Sequence, residues 1–366
     1  HTPIRRQRQM CIRDSYYSHL GLPWLGIDEL TAEKSSEYIK MVAFGFPAIG
    51  IFMALRYHMQ GVGITSPFAV ASVIGFIANI PLNYIFIFGF GDIPAMGAQG
   101  CGIATAISMW LSALIITLYV LTKKSLQQFM PPLRPVAPDP VTIKEILTIG
   151  APVGATFFLE TAVFAGIALL VSSLGDVAIG AHQIAFNVWD MFYIPMLAIG
   201  SSMATRMGHA LGAQDQQGVF MALKAGILCS GVISVTTMII LLSFPTAIVG
   251  IYSDSQDISL LAVRLLSFAA LFVIIDAVQI VGSFSMRAYK KTRFPFIASM
   301  VAYWLIALPL GYYLGIMNAD NAFDGAAGFW VGIIVGVAVA SVMIAVRLVL
   351  LLRQPIPTGF TPDYDA

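Results

Sequence analysis

LLAVRLLSFAALFVIIDAVQIVGSFSMRAY, residues 260–289, is an apolar run of membrane-spanning length with a single carboxylate, Asp276, near its centre. A helix rises about 1.5 Å per residue and the hydrocarbon core is about 30 Å thick, so some twenty apolar residues cross it. The run therefore reads as a transmembrane helix with an acid held at membrane depth. A second stretch, ILTIGAPVGATFFLETAVFAGIALLVSSLG, residues 146–175, holds Glu160 in the same way. An ionised carboxylate there costs several kcal/mol, so it marks an ion, proton or substrate path.

Composition agrees with a membrane setting. The 366 residues are 58% hydrophobic and only 11% charged, with mean hydropathy +0.83. A soluble domain carries about 25% charged residues. The formal net charge of +1 gives no reason to expect nucleic acid as a partner. Cys11, Cys101 and Cys229 are scattered, with neither disulfide nor metal spacing, and read as small apolar fillers.

Nine apolar runs read as spans, near 41–60, 67–90, 98–121, 146–172, 178–204, 219–244, 260–286, 294–315 and 326–352. Lys and Arg sort the intervening loops. One side collects Lys123, Lys144, Arg206, Lys224, Lys290, Lys291, Arg293 and Arg353, among others; the other collects Asp92, Asp176, Asp254, Asp257, Asp320 and Asp324, with Arg264 nearby. The positive side is cytoplasmic and includes the C-terminus. The Pro-rich segment 122–145 reads as a cytoplasmic linker between two halves. The expected division is therefore 21–121 for the rest of an N-terminal lobe, 146–352 for a C-terminal lobe and 353–366 for a cytoplasmic tail. Residues 1–20 are an exception. The Arg-rich opening HTPIRRQRQMCIRDS would fall on the wrong side, so we expect a non-native or disordered scar and missing N-terminal spans.

A shift of 228 residues superposes two three-helix blocks without a gap. Pro67 falls on Pro295, PLNY (81–84) on PLGY (309–312), and GAQG (97–100) on GAAG (325–328). Equivalent helices are an even number of spans apart, so both copies run the same way, as in transporters with parallel repeats. The expected fold class is an all-α polytopic membrane protein, about nine spans of a twelve-helix, two-bundle transporter. Asp276 aligns with Ala48, so the shared scaffold does not require it.

Polar residues accompany the acids. Thr156 stands one turn before Glu160; Gln183, Asn187 and Asp190 share one face; Asp276, Gln279 and Ser283 share another. Asn79 and Asn83 form a smaller polar face in the first half, suited either to helix packing or to a second polar site. No Lys or Arg adjoins the acids in sequence. A naked charge in low dielectric then makes Na+ or a proton the natural partner, and an organic cation can compete for it. His58, His182 and His209 read as interfacial residues near span ends.

These residues carry a resemblance. GAPVGATFFLETAVFAGIALLVSSLG (150–175), AHQIAFN (181–187) followed by RMGHALGA (206–213), IDAVQIVGSFSMRAYKKTRFPF (275–296), YWLIALPLGYYLG (303–315), and NIPLNYIF (79–86) with GAQGCGIATAISMW (97–110) are similar to the multidrug and toxic compound extrusion (MATE) family, NorM-like branch. The resemblance implies two six-helix lobes around a central cleft and export of organic cations in exchange for Na+ or H+ by alternating access. It implies no cofactor and no enzymatic activity, and a monomer in the bacterial inner membrane. It makes Glu160 the acid of the family's seventh helix and Asp276 that of its tenth, with Na+ or H+ bound between them. Asp190, Asn187, Gln183, Gln279 and Thr156 are supporting polar residues, and Asn79 and Asn83 match polar positions of the N-terminal lobe. The family's first helix, with its own Asp, has no counterpart here. A lipid-linked oligosaccharide flippase of related architecture is the alternative, but its cleft should be basic. A membrane enzyme lacks a nucleophile–base pair, and a channel fits the two-fold repeat poorly.

Overall fold

The computed structural model describes residues 29–123 and 139–356. Residues 1–20, expected to be a scar, most of the expected linker (124–138) and most of the expected tail (357–366) lie outside the described residues, as does Cys11. The chain divides between residues 136 and 137 into two compact units.

The first unit holds α1 (Glu29–Ala43), α2 (Phe46–Gly61), α3 (Ser66–Phe88) and α4 (Gly97–Thr122). The expected span at 41–60 is instead a bent pair, with α1 and α2 meeting at 49°. Pro47 sits in the first turn of α2; it has no N–H for the carbonyl of Ala43, so that backbone bond is missing at the bend. Gly45 at the break packs so closely on α4 that a Cβ there would meet Met109 and Ala106.

The second unit holds α5 (Pro140–Ser172), α6 (Asp176–Gly212), α7 (Gln216–Ser243), the short α8 (Pro245–Val249), α9 (Gln256–Ala288), α10 (Arg293–Met317) and α11 (Ala322–Leu352). Helix α5 begins at 140, inside the expected linker. Asp139 caps it by accepting from Val141 and Thr142 backbone N–H, and the Thr142 hydroxyl holds its carboxyl below the usual range. Polar first and last turns carry other helices past their apolar runs in the same way, because hydropathy marks the lipid boundary and not the helix end. Among the described residues eight helices are long and apolar enough to cross a membrane, or nine with the bent pair as one span. The molecule is an all-α, multi-pass membrane protein.

Helix α9 is the centre of the second unit, packing on α6, α7 and α11. One face therefore carries buried residues along nearly its whole length, from Leu261 to Met286. Around it lies an aromatic core. Phe164 stacks on Trp189 (5.2 Å between centroids), Trp189 packs on Phe272 (5.3 Å), and Phe272 meets Trp330 edge-on (6.3 Å).

The 228-residue repeat recurs as the same contact in both units. A Cβ on Gly100 would strike the Phe86 carbonyl, and a Cβ on Gly328 would lie 2.7 Å from the Leu314 carbonyl carbon. Gly328 is Gly100 plus 228 and Leu314 is Phe86 plus 228. Each unit thus brings its two helices together through the same glycine.

The repeats diverge at α10. Residues Met300–Ala307 and Tyr313–Met317 are π-helical, and the Leu308 N–H donates to the Tyr303 carbonyl. The wider turn lies just before Pro309, which has no N–H and crowds the preceding turn. Its counterpart α3 is α-helical throughout despite Pro81.

Candidate functional site

The polar residues of α9 recur at 276, 279 and 283, which places them on one stripe. All three are buried. They line a cavity of about 520 Å³ within the second unit, together with Glu160 from α5, Gln183 and Asp190 from α6, and Tyr303 from α10. The two acids at membrane depth therefore share one enclosure and stand within electrostatic range of each other.

Their surroundings differ. Glu160 Oε1 accepts from Gln279 Nε2 (3.4 Å) and from the Ser299 hydroxyl (3.4 Å). Gln279 also donates to the Tyr303 hydroxyl (3.2 Å), and the Trp304 indole N–H reaches the Leu159 carbonyl (3.3 Å), fastening α10 beside Glu160. The π-helical turn of α10 thus lies beside this network and carries Tyr303 and Trp304. Asp276 is 3% exposed, and its Oδ2 has no hydrogen-bond partner. The Trp189 indole stands beside it, but its N–H also lacks a partner of good geometry. A buried carboxylate oxygen without a partner is costly unless a proton or cation meets it.

Several expectations need correction. Asn187 is exposed and does not line the cavity, whereas Gln183 and Asp190 do. Thr156 is buried one turn below Glu160, but its hydroxyl bonds the Pro152 carbonyl of its own helix (2.8 Å) and is not at the cavity wall. His182, read as interfacial, is packed inside the second unit, 1% exposed against Phe186 and Trp330. No Lys or Arg adjoins the acids in sequence, but the fold brings Arg287 to the same cavity and its field reaches Glu160. Asn79 and Asn83 are in the first unit. Asn83 Nδ2 donates to Asn79 Oδ1 (2.7 Å) and Asn79 Nδ2 to Ser108 Oγ (3.1 Å), which joins α3 to α4. This bonding is that of helix packing.

Aromatic rings supply part of the wall: Phe157, Phe164, Phe186, Trp189, Tyr193 and Phe284, beside Tyr303. Ring faces attract cations, more strongly where water is excluded. Among the described residues no group of three or more His, Cys, Asp and Glu side chains could hold a metal ion. A hard cation here would have two acids and the neutral oxygens of Gln279, Ser299 and Tyr303 in reach.

A multi-pass helical bundle with a buried, acid-lined aromatic cavity is the architecture of a membrane carrier. Residues 17–85 and 152–313 match the family model MatE, and the chain belongs to that family. It is 36% identical over 333 residues to the multidrug resistance protein NorM of Photobacterium profundum, covering 91% of this chain and 73% of that protein. It is 36% identical over 329 residues to the multidrug resistance protein MdtK of Edwardsiella ictaluri, covering 90% and 72%. The eukaryotic MATE transporter AtDTX14 superposes with a TM-score of 0.83 at 21% identity, covering 94% of this chain and 75% of that one, a likeness of fold.

Proposed function

We propose that the protein is a cation-coupled multidrug efflux antiporter of the bacterial plasma membrane, acting as a monomer with its C-terminus in the cytoplasm. It exports aromatic organic cations in exchange for Na+ or H+, and Glu160 and Asp276 hold the coupling ion. The observation that carries this reading is the pairing of those two acids from separate helices in one aromatic-walled cavity, with one Asp276 oxygen unsatisfied. Gln279, Ser299, Tyr303 and Asp190 are supporting polar groups. The segments before and after the 122–145 linker serve as N- and C-terminal lobes, with Asn79 and Asn83 holding helices together in the first.

The mechanism follows from charge. An ion entering the cavity satisfies the acids and removes the attraction an organic cation would feel there. Each ligand therefore weakens the other, and the ion gradient biases the equilibrium between the two access states. The flippase alternative needs a basic pocket for pyrophosphate, and this cavity has three acids to one arginine.

Dye efflux from cells expressing the protein, measured with and without Na+ at fixed pH, tests the coupling. Efflux that needs Na+ identifies Na+ as the coupling ion. Efflux indifferent to Na+ but lost when the proton gradient is collapsed identifies H+. Efflux indifferent to both would refute antiport.

A further inference from the structure

Helices α6 and α7 meet where a glycine faces a thioether: a Cβ on Gly226 would strike the Met203 side chain. Both residues also line a groove of about 350 Å³ that shares no residue with the acid-lined cavity. Ala198 and Ser202 of α6 and Ala222, Ala225 and Cys229 of α7 recur at helical spacing, so each helix gives the groove one face of small side chains. The Ser202 hydroxyl bonds the Ala198 carbonyl of its own helix (2.9 Å), which leaves that face apolar in effect. Beside the groove on α7, Met221 is 59% and Leu228 65% exposed, as suits residues that meet acyl chains. One end differs. Arg206, one turn beyond Ser202, is exposed and lines the groove. Among the described residues Arg206 is in no ion pair, and no carboxylate lines the groove.

Depth gives the groove a direction. Arg206 is about 9 Å from the end of α6 and Lys224 about 12 Å from the start of α7, on a rise of about 1.5 Å per residue. Two cations at similar height mark the level of the lipid phosphates, on the positively charged side of the loops. From Arg206 the α6 wall continues about 12 Å to Ala198, toward the hydrocarbon. We propose that this groove binds one anionic phospholipid, its phosphodiester on Arg206 and an acyl chain along the small residues. A guanidinium fork matches a phosphate, and basic pockets between transmembrane helices take anionic headgroups. Small residues also admit a second helix, but a helix laid over this groove would cover Arg206 without a counter-charge, whereas a phospholipid brings its own. The inference is independent of what the acid-lined cavity carries.

Native mass spectrometry of the purified full chain, titrated with phosphatidylglycerol or phosphatidylethanolamine, tests this. The parent should bind its first phosphatidylglycerol about tenfold more tightly than phosphatidylethanolamine, the size of one charge-assisted contact without an opposing ammonium. Arg206→Gln should remove that preference and leave phosphatidylethanolamine binding unchanged, which also reports an intact fold. Ala225→Phe keeps the charge and fills the groove, and should weaken the first phosphatidylglycerol by a similar factor. Lys224→Gln removes a cation at the same height that does not line the groove, and should leave the preference in place. Equal binding of the two lipids by the parent would overturn the proposal. So would a preference that survives Ala225→Phe, which marks an interfacial cation only, or one that Lys224→Gln abolishes as well, which marks a diffuse basic surface. A dimer that Ala225→Phe dissolves would overturn it in favour of a second copy of the chain.

Discussion

Asp276→Asn should reduce efflux of an aromatic monocation to the background of cells without the protein, while leaving its amount in the membrane unchanged. The amide has nearly the same shape and removes the charge. Removing one member of a buried charged interaction costs about 2 kcal/mol or more, about thirtyfold in affinity. An antiporter loses more than affinity, because exchange requires both ligands to compete for one site. Glu160→Gln should have the same functional effect with a larger structural one. Its amide oxygen must stay on the Gln279 and Ser299 donors that now converge on Oε1, which leaves its NH2 to find an acceptor in a buried site, whereas one Asp276 oxygen makes no hydrogen bond to be lost. Efflux retained by both variants, at normal membrane levels, would refute the assignment of these acids.

The largest stability effect should come from the glycines that join the repeat helices. Gly328→Val places a branched side chain where even a Cβ lies 2.7 Å from the Leu314 carbonyl carbon and 2.8 Å from the Gly315 nitrogen. Backbone cannot rotate away as a side chain does, so the helices must separate. Helix association in lipid depends on such close packing, since no hydrophobic force favours one apolar contact over another. Overpacking of this kind costs about 1–3 kcal/mol, and more where nothing can yield. We expect Gly328→Val and Gly100→Val to lose most folded protein, and Gly328→Ala and Gly100→Ala to lower the thermal midpoint in detergent by similar amounts. Gly154→Ala, with nothing within 4 Å of its Cβ, should leave it unchanged. Equal midpoints for all the alanine variants would contradict the packing.

The legible part of this molecule is whatever hydropathy and spacing encode directly. The spans are visible because lipid admits few charges, and Glu160 and Asp276 because they break that rule. Gln279 and Ser283 follow from helical spacing on Asp276, and the same spacing one step further reaches Arg287, which in sequence reads only as a loop cation. Other features depend on packing. Tyr303 and Ser299 carry no charge, and they reach the site because α10 lies against α5 and α9, which residue spacing does not specify. Gln183, Asn187 and Asp190 share one stripe, but only the outer two meet the cavity, since a helix face is wider than the wall it supplies. His182 reads as interfacial from its place near the start of an apolar run, but it is buried by Trp330 of α11, a contact that spacing along α6 does not specify. The bend before Pro47 is legible from the proline and is hidden by the hydropathy that continues across it.

On the proposed mechanism, one cavity in the second unit holds either the coupling ion or the organic cation. Equilibrium binding of an aromatic monocation to the purified protein, titrated with Na+ at fixed pH and with protons in its absence, tests it most directly. At least one of these ions should weaken dye binding in the parent protein, as competition for Asp276 and Glu160 requires, and Asp276→Asn should remove that dependence. Dye affinity in the parent protein that neither Na+ nor pH alters would contradict the shared site.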